Sequence, residues 1–224
     1  MISLPKKKKM KKLSKILIIL LILVSVLLGC VGCAGRAPKL ELIYDRVVTL
    51  IEASYELNEI FYGNGLPYCD RNLPVYETLY SDYTKLGYTK NYHIVSTQAR
   101  YHSVEEIKLA AEQVYSSALL QSSVYPGIFD GLMQSTPGST SKYLPARYIQ
   151  DNTDLYILIE EEGAYHPTPL IYDYASMKIV RPSNAKRVAI SINAWEEDQP
   201  DRVFEMTLFL LKENDVWLLD KLTV

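Results

Sequence analysis

The sequence predicts an α+β protein in which helices come first and a run of antiparallel strands follows. From residue 39, apolar residues recur at spacings of three and four, which is typical of amphipathic helices. From residue 146, apolar and polar residues alternate instead, which is typical of half-buried strands. Helices followed by consecutive strands indicate the α+β class. With 48% apolar and 22% charged residues, the composition is that of a globular protein and excludes a disordered chain or a disulfide scaffold.

A basic start and an apolar run open the chain and predict a signal peptide. Seven lysines lie between residues 6 and 15, and residues 16–29 (ILIILLILVSVLLG) are almost entirely apolar. This order of segments is typical of a secretory signal. Because the lysine cluster stays in the cytoplasm, the remainder of the chain is expected on the extracytoplasmic side of the membrane.

The apolar run ends at residues 27–30 (LLGC), which resemble the lipobox of bacterial lipoproteins. The resemblance implies cleavage after Gly29, a diacylglyceryl group on Cys30, and localisation at the cell membrane through this lipid anchor. Cys33 is a second, less fitting site because no leucine lies three positions before it. An uncleaved signal anchor over residues 16–35 is the alternative, since about 20 apolar residues can span a bilayer.

The division predicted for the chain is a signal peptide over 1–29, a lipidated cysteine with its tether over 30–38, and one α+β domain over 39–224. A tether of nine residues reaches at most about 30 Å. Beyond residue 29, 17 basic residues remain against 26 acidic ones, a net charge of −9. This acidic balance argues against a nucleic-acid partner.

The first half of the domain is predicted to contain three main helices. The first spans residues 39–62 and is ended by the glycines of 63–65. Ser103 and Glu106 form a capping box that opens the second helix, which we expect to run to about residue 120. A third helix is expected at 124–134, with Pro126 in its first turn. Shorter features are also predicted: a short helix at 75–85, a strand at 92–96, and a loop at 135–142.

The second half is predicted to form antiparallel strands joined by hairpins. The turns are expected at 151–154, 197–201 and 213–215, where Asn, Asp, Gln and Pro cluster. A longer connection surrounds His166. The predicted strands are 146–150, 155–161, 176–181, 186–196, 201–212 and 216–223.

The last hairpin resembles the end of the nuclear transport factor 2-like superfamily. A long strand at 202–212, a turn at 213–215, and residues 216–220 (VWLLD) carry the resemblance, which covers about residues 100–224. It implies a curved, cone-like sheet with the helices packed on its concave side. Residues 101–103 (YHS), ahead of a capped helix, also resemble lipoproteins related to inhibitors of cell-wall DL-endopeptidases. That second likeness implies a regulator of cell-wall hydrolases.

The residues with catalytic or metal-binding chemistry do not form a recognisable motif. No second His or Cys lies near His93, His102 or His166 at the spacing of a metal site, so no metal or cofactor is expected. A dyad of His93 with Asp82 or Asp130 is the alternative that would make the domain an enzyme. The S-x-x-K sequences at 139–142 and 183–186 are interpreted as ordinary loops.

Tyrosine is the compositional oddity, with 18 Tyr against 4 Phe and 2 Trp. Two interpretations remain open: a tyrosine-lined binding surface, or core rings whose hydroxyls reach water.

The acidic runs at 160–162 and 196–198 are interpreted as a strand end and an exposed turn. We therefore expect a non-catalytic domain that binds an envelope protein or cell-wall material. The alternatives are a hydrolase regulator, a small-molecule enzyme in the cone of the fold, and a signal-anchored accessory protein. The first-half tyrosines are Tyr44, Tyr55, Tyr62, Tyr68, Tyr76, Tyr80, Tyr83, Tyr88 and Tyr92.

Overall fold

The structure, a computed structural model, describes residues 35–69, 92–134, 142–159 and 168–223. Within these ranges the protein has the predicted α+β class, with a few helices and antiparallel sheets. The described strands form separate open sheets, and none of these sheets closes into a barrel. The predicted helix at 75–85 and the loop around His166 lie outside the described residues, as do positions 135–141 of the predicted loop.

The first predicted helix is confirmed. A short 3-10 turn, Leu40–Leu42, leads into helix α1, Tyr44–Tyr62. Its buried side chains follow the spacing of three and four seen in the sequence, and they join the main core. The helix ends at Gly63, as the glycines predicted.

The second helix, α2, is confirmed at its start but is shorter than predicted, spanning Val104–Glu112. The Ser103 Oγ accepts from the Glu106 N–H at 3.1 Å, as a capping box requires. The Glu106 carboxylate accepts from the His102 N–H at 2.6 Å, one residue earlier than in the standard box. The predicted end at about residue 120 is wrong because residues 114–116 pair with the last strand: the Ser116 N–H donates to the Leu219 carbonyl at 2.8 Å.

The third helical segment begins earlier than the predicted residue 124. The Ser116 Oγ caps helix α3, Ser117–Leu119, which continues through the π-helical turns Leu120–Val124 and Pro126–Asp130. Pro126 has no N–H to donate, so it interrupts the regular α-helical ladder. The segment ends before the predicted residue 134 because Gly131 adopts a φ of 75°.

The described strands form three antiparallel groups, in the orders β1-β5-β4, β2-β3 and β6-β7-β8-β9. The three predicted hairpins are confirmed by the pairing of β4 with β5, β7 with β8, and β8 with β9. The strand expected at 92–96 is confirmed as β1. The bounds are β1 Tyr92–Ile94, β2 Leu132–Gln134, β3 Lys142–Leu144, β4 Tyr148–Asp151, β5 Asp154–Leu158, β6 Leu170–Val180, β7 Arg187–Glu196, β8 Phe204–Glu213 and β9 Val216–Leu219.

Strand β6 starts six residues before the predicted start at 176. Its register shifts between Asp173 and Lys178, and the Asp173 carboxylate accepts from the Ala175 N–H at 3.1 Å within this bulge. An inserted bulge breaks the alternation of inward and outward side chains. The alternation of apolar and polar residues is therefore interrupted inside β6, although the strand itself continues through the bulge.

Strand β7 is more buried than the alternation predicted. Val188, Ile190 and Ile192 face the core as expected, but Ala189 and Ser191 on the opposite face are buried too. These two residues are small, and they lie between the side chains of β6 and β8 in the register Val180–Ala189–Phe209. The larger side chains of the neighbouring strands therefore shield these two small residues from solvent on the outer face of the sheet.

Helix α1 and the four-stranded sheet share one core. Leu50, Ile51 and Leu57 of α1 belong to the same buried cluster as Ile190 and Leu208 of the sheet. The Arg46 Nε donates to the Trp217 carbonyl at 3.0 Å and fixes the first turn of α1 against β9. Among the described residues, no helix has the length and apolar character that crossing a bilayer would need.

Candidate functional site

A cleft of about 310 Å³ opens between the second half of α1 and the start of β6. This volume is at the lower end of the range for small-molecule sites. Its apolar wall comes from the β6 end, where Leu170 is buried and Ile171 is half-buried. The complete lining within the described residues is Tyr55, Asn58, Glu59, Gly63, Pro169, Leu170, Ile171 and Thr223.

The polar wall of the cleft is a directed chain of buried hydrogen bonds. The Tyr115 hydroxyl donates to Asn58 Oδ1 at 2.7 Å, and Asn58 Nδ2 donates to Thr223 Oγ1 at 2.8 Å. The Ser54 Oγ donates to the Ile51 carbonyl at 2.6 Å, so the 2.6 Å contact between the Thr223 and Ser54 hydroxyls has Thr223 as its donor. The chain therefore runs in one direction from Tyr115 to the backbone of α1.

This chain uses only one of the two amide protons of Asn58. Asn58 lines the cleft and is 7% exposed. Among the described residues, Asn58 Nδ2 donates only this one hydrogen bond. Buried polar groups are nearly always hydrogen-bonded, so the second amide proton is a donor that suits a ligand oxygen.

Tyrosine hydroxyls keep the wall uncharged. The Tyr172 hydroxyl donates to the Thr223 carbonyl at 3.1 Å. Thr223 is therefore held at the cleft by hydrogen bonds to both its side-chain hydroxyl and its carbonyl. Burial raises the pKa of both Tyr115 and Tyr172 above the ordinary value for tyrosine. For Tyr55, burial and then the neighbouring Tyr174 raise the pKa. Tyrosine is neutral near pH 7 in any case, and the raised pKa keeps these rings neutral to higher pH.

The rim of the cleft depends on how α1 ends. The Glu59 carboxylate accepts from the Asn64 N–H at 2.8 Å and from Asn64 Nδ2 at 2.6 Å, which folds the chain back over the last turn. A Cβ on Gly63 would lie only 2.9 Å from the Glu59 Cα, so this tight return requires glycine.

A buried arginine caps the C-terminal end of α1 next to the cleft. The Arg147 Nε donates to the Ile60 carbonyl at 3.0 Å, and Arg147 Nη2 donates to the Gly63 carbonyl. The Tyr148 hydroxyl also donates to the Ile60 carbonyl, at 3.1 Å. A cation at this position satisfies unpaired carbonyls and complements the negative end of the helix dipole.

Of the histidines singled out in the sequence, the two that the structure describes, His93 and His102, do not line the cleft. The His93 ring lies 5.1 Å from the Tyr68 ring, and its Nδ1 is 3.4 Å from the Cys69 carbonyl. His102 is exposed ahead of α2, and Asp130 is exposed at the end of the π-helical segment. His166 and Asp82 lie outside the described residues, so the dyad with Asp82 stays a prediction.

The remaining chemical candidates are only partly described. Cys30 and Cys33, the candidates for lipidation, lie outside the described residues, as do residues 139–141. Ser183 belongs to the turn between β6 and β7, where its Oγ donates to the Val180 carbonyl and accepts from the Ala189 N–H at 2.9 Å. Within the described part of the chain, no three His, Cys, Asp or Glu side chains converge as metal ligands would.

The described tyrosines follow the core interpretation more than the surface one. Six of them are buried, and the hydroxyls of five of these six form hydrogen bonds with other groups of the protein. Tyr92 donates to the Ala146 carbonyl, and Tyr148 accepts from the Leu66 N–H at 2.9 Å. The buried tyrosines are Tyr92, Tyr115, Tyr125, Tyr148, Tyr156 and Tyr172.

Sequence reasoning named Tyr55 among the candidate binding tyrosines but missed the other residues that build the cleft. Ser54 and Asn58 lie four residues apart on the buried face of α1, and two polar residues within an apolar stripe were the available signal. Thr223 and Arg147 carried no comparable signal, because their partners lie 165 and 87 residues away in the chain.

Comparison with known proteins adds no relative. No protein-family model matches this chain, and no curated protein matches it.

Proposed function

We propose that the protein is a membrane-anchored extracytoplasmic lipoprotein that binds a small molecule in the cleft between α1 and β6 and does not catalyse a reaction on it. The sequence supports the anchor through the lysine-rich start, the apolar run of 16–29, and the lipobox-like residues 27–30. Cys30 carries the lipid in this proposal, and Gly29 ends the signal peptide. The position of α1 on the four-stranded sheet supports retaining the nuclear transport factor 2-like arrangement as the fold assignment.

The observation that carries the binding function is the second amide proton of Asn58, which lines the cleft and forms no hydrogen bond with a described residue. A ligand that fits the cleft has an oxygen acceptor to receive this proton. It also has an apolar body that packs on Leu170 and Ile171. Because Glu59 lies at the rim, an anionic ligand is disfavoured there. The ligand class is therefore a small, neutral, amphipathic molecule.

A second candidate function is regulation of a cell-wall hydrolase, and one observation favours it. The turn between β7 and β8 is exposed and carries Glu197, Asp198 and Asp201. An exposed acidic hairpin is suited to entering a basic cleft on a partner enzyme.

The test uses the full chain, purified from the membranes of a bacterium that processes lipoproteins. Native mass spectrometry is expected to find a chain that begins at Cys30 with its acyl groups and that carries a non-covalent small molecule. Ile171→Trp fills the cleft and is expected to lose that molecule. Ile179→Trp, a change of the same size on a half-buried residue of the same strand, is the matched control and is expected to retain it.

Two results would contradict the proposal. An unmodified chain beginning at Met1 in the membrane fraction would exclude the lipid anchor and favour the signal anchor. Equal retention of the small molecule by Ile171→Trp and by the wild type would exclude the cleft as the binding site.

A further inference from the structure

The chain enters the described fold at the turn between β6 and β7. The Gly35 carbonyl accepts from the Ala185 N–H at 2.9 Å, and a Cβ on Gly35 would lie 3.0 Å from the Ala185 Cβ. Five residue steps separate Gly35 from Cys30, which limits their separation to about 18 Å. This turn is therefore the part of the described fold that the lipid anchor holds closest to the membrane.

The backbone of this turn is fixed by its own hydrogen bonds. The Asn184 side chain accepts from the N–H groups of Lys186 and Arg187, at 2.8 and 2.9 Å. The Lys212 N–H donates to the Lys186 carbonyl at 2.8 Å, which joins the turn to the β8–β9 hairpin. The backbone positions that carry the basic side chains of this turn are therefore fixed.

Basic side chains concentrate at this end of the molecule, which we call the tether end: residues 35–42, 181–187 and 212–216. Among the described residues, none of its five exposed cations forms an ion pair. Leu42, which is 77% exposed, adds an apolar side chain to the tether end. The five cations are Arg36, Lys39, Arg181, Lys186 and Arg187.

The tether end has only three acidic residues among those described, and two of them form an ion pair or a hydrogen bond. Asp215 pairs with Lys212 at 3.0 Å. Glu213 accepts from the Ser117 hydroxyl at 2.7 Å. Glu41 is exposed. The tether end is consequently net positive within a domain whose overall charge is negative.

The opposite end has the reverse charge; we call it the distal end: residues 58–63, 168–171 and 196–205. Strand β7 runs from Arg187 at one end to Glu196 at the other, about 30 Å for a strand of this length. Arg202 is the single cation among the described residues of the distal end, and the ligand cleft opens there. Its acidic residues are Glu59, Glu196, Glu197, Asp198, Asp201 and Glu205.

We propose that the tether end docks onto the anionic phospholipid headgroups of the membrane that holds the anchor, an inference that rests on the proposed lipid anchoring. Basic residues close to an anionic leaflet each strengthen contact with it. Because the tether keeps the domain at a high local concentration, a contact that is weak in solution is sufficient. Docking in this orientation turns the cleft and the acidic hairpin away from the membrane, towards envelope material.

The experiment reconstitutes the full chain, with its anchor, into vesicles of phosphatidylcholine alone or with roughly one third phosphatidylglycerol. An amine-reactive reagent and peptide mass spectrometry then measure the modification rate of each lysine. The rates at Lys39 and Lys186 are expected to fall about threefold or more in the anionic vesicles and to recover at about 0.5 M salt, where charges are screened within a few ångströms. Lys221, which is exposed outside the tether end, is the internal reference and is expected to keep its rate.

Charge reversal separates the tether end from the rest of the surface. The variant Arg181→Glu/Arg187→Glu is expected to lose the protection of Lys39, whereas Arg202→Glu at the distal end is expected to keep it. A single Arg181→Glu change serves if the double variant has a lowered melting temperature. Equal modification of Lys186 in the two kinds of vesicle would overturn the docking.

Vesicle flotation distinguishes failure of the docking from failure of the anchor. Flotation with both kinds of vesicle and equal lysine rates would overturn the docking alone. Flotation with anionic vesicles only would support the docking and exclude the anchor. A chain that floats with neither kind would overturn both.

Discussion

At the tether end charged side chains are exposed to solvent, whereas around the end of α1 polar side chains are buried and hydrogen-bonded to other groups of the protein. Arg187 at the first position of β7 is exposed, whereas Arg147 beside the end of α1 is 7% exposed and holds two backbone carbonyls. Arginine therefore adds positive charge to the surface in one place and stabilises the fold through hydrogen bonds in the other. The contrast teaches that burial and bonding, not residue type, decide whether a polar residue stabilises this fold.

The largest effect is expected from removing the buried arginine. Arg147→Met leaves the Ile60 and Gly63 carbonyls without their charged donor, and we expect a loss of about 2–4 kcal/mol in the free energy of unfolding. Arg187→Met at the tether end is the matched control, and its expected change is within about 0.5 kcal/mol. Urea denaturation of both variants checks the comparison. Equal losses would show that the two arginines do not differ in the way the structure indicates.

A smaller loss is expected from the buried chain beside the cleft. Thr223→Val keeps the side-chain shape but removes the hydroxyl between Asn58 and Ser54, with an expected cost of about 1–3 kcal/mol. Thr207→Val, on a half-buried threonine of β8, is the control and should change stability little. Thermal unfolding measures both. An unchanged melting temperature for Thr223→Val would mean that the chain does not contribute to stability.

The smallest effect is a pH dependence that belongs to the buried tyrosines. Burial raises the pKa of Tyr115 and Tyr172 in the folded state above the ordinary value of 10.0. Their stabilising contribution is therefore complete below pH 10 and is lost as the pH rises above it, because only the unfolded chain releases these protons. Each such tyrosine lowers the free energy of unfolding by about 1.4 kcal/mol for each pH unit in that range.

Tyr172→Phe tests this dependence. Urea denaturation between pH 9 and 11 should give a shallower decline for the variant than for the wild type, because one of the contributing groups has been removed. Parallel declines would mean that Tyr172 is not held protonated in the folded state.

Elements with local signals were predicted well from the sequence. The stripe of apolar residues in α1 and the side chain of Ser103 at the start of α2 both act within a few residues of their partners. The turn at 213–215 behaves similarly, since Asn214 and Asp215 adopt φ values of 47° and 65°, which these residue types tolerate. Such signals depend on backbone sterics and short-range bonds that a sequence contains directly.

Two of the misplaced boundaries depend on partners far away in the chain. Helix α2 stops early because residues 114–116 bond to Leu219, more than 100 positions later. The first half of β6 was missed because a bulge at Asp173 interrupts the alternation. In both places the tertiary pairing determined the backbone against the local pattern.

By itself, the sequence determined the α+β class, the end of α1, the start of α2, and the three hairpins. Periodicity, caps and turn residues express these features within a few positions of the chain. Only the tertiary structure decided that Asn58 and Thr223 form the wall of a cleft, that Arg147 bonds to the carbonyls at the end of α1, and that the basic and acidic residues lie at opposite ends of β7. The physical reason is that these features depend on which side chains meet across the core, and a sequence does not state the distance between residues that lie far apart in it.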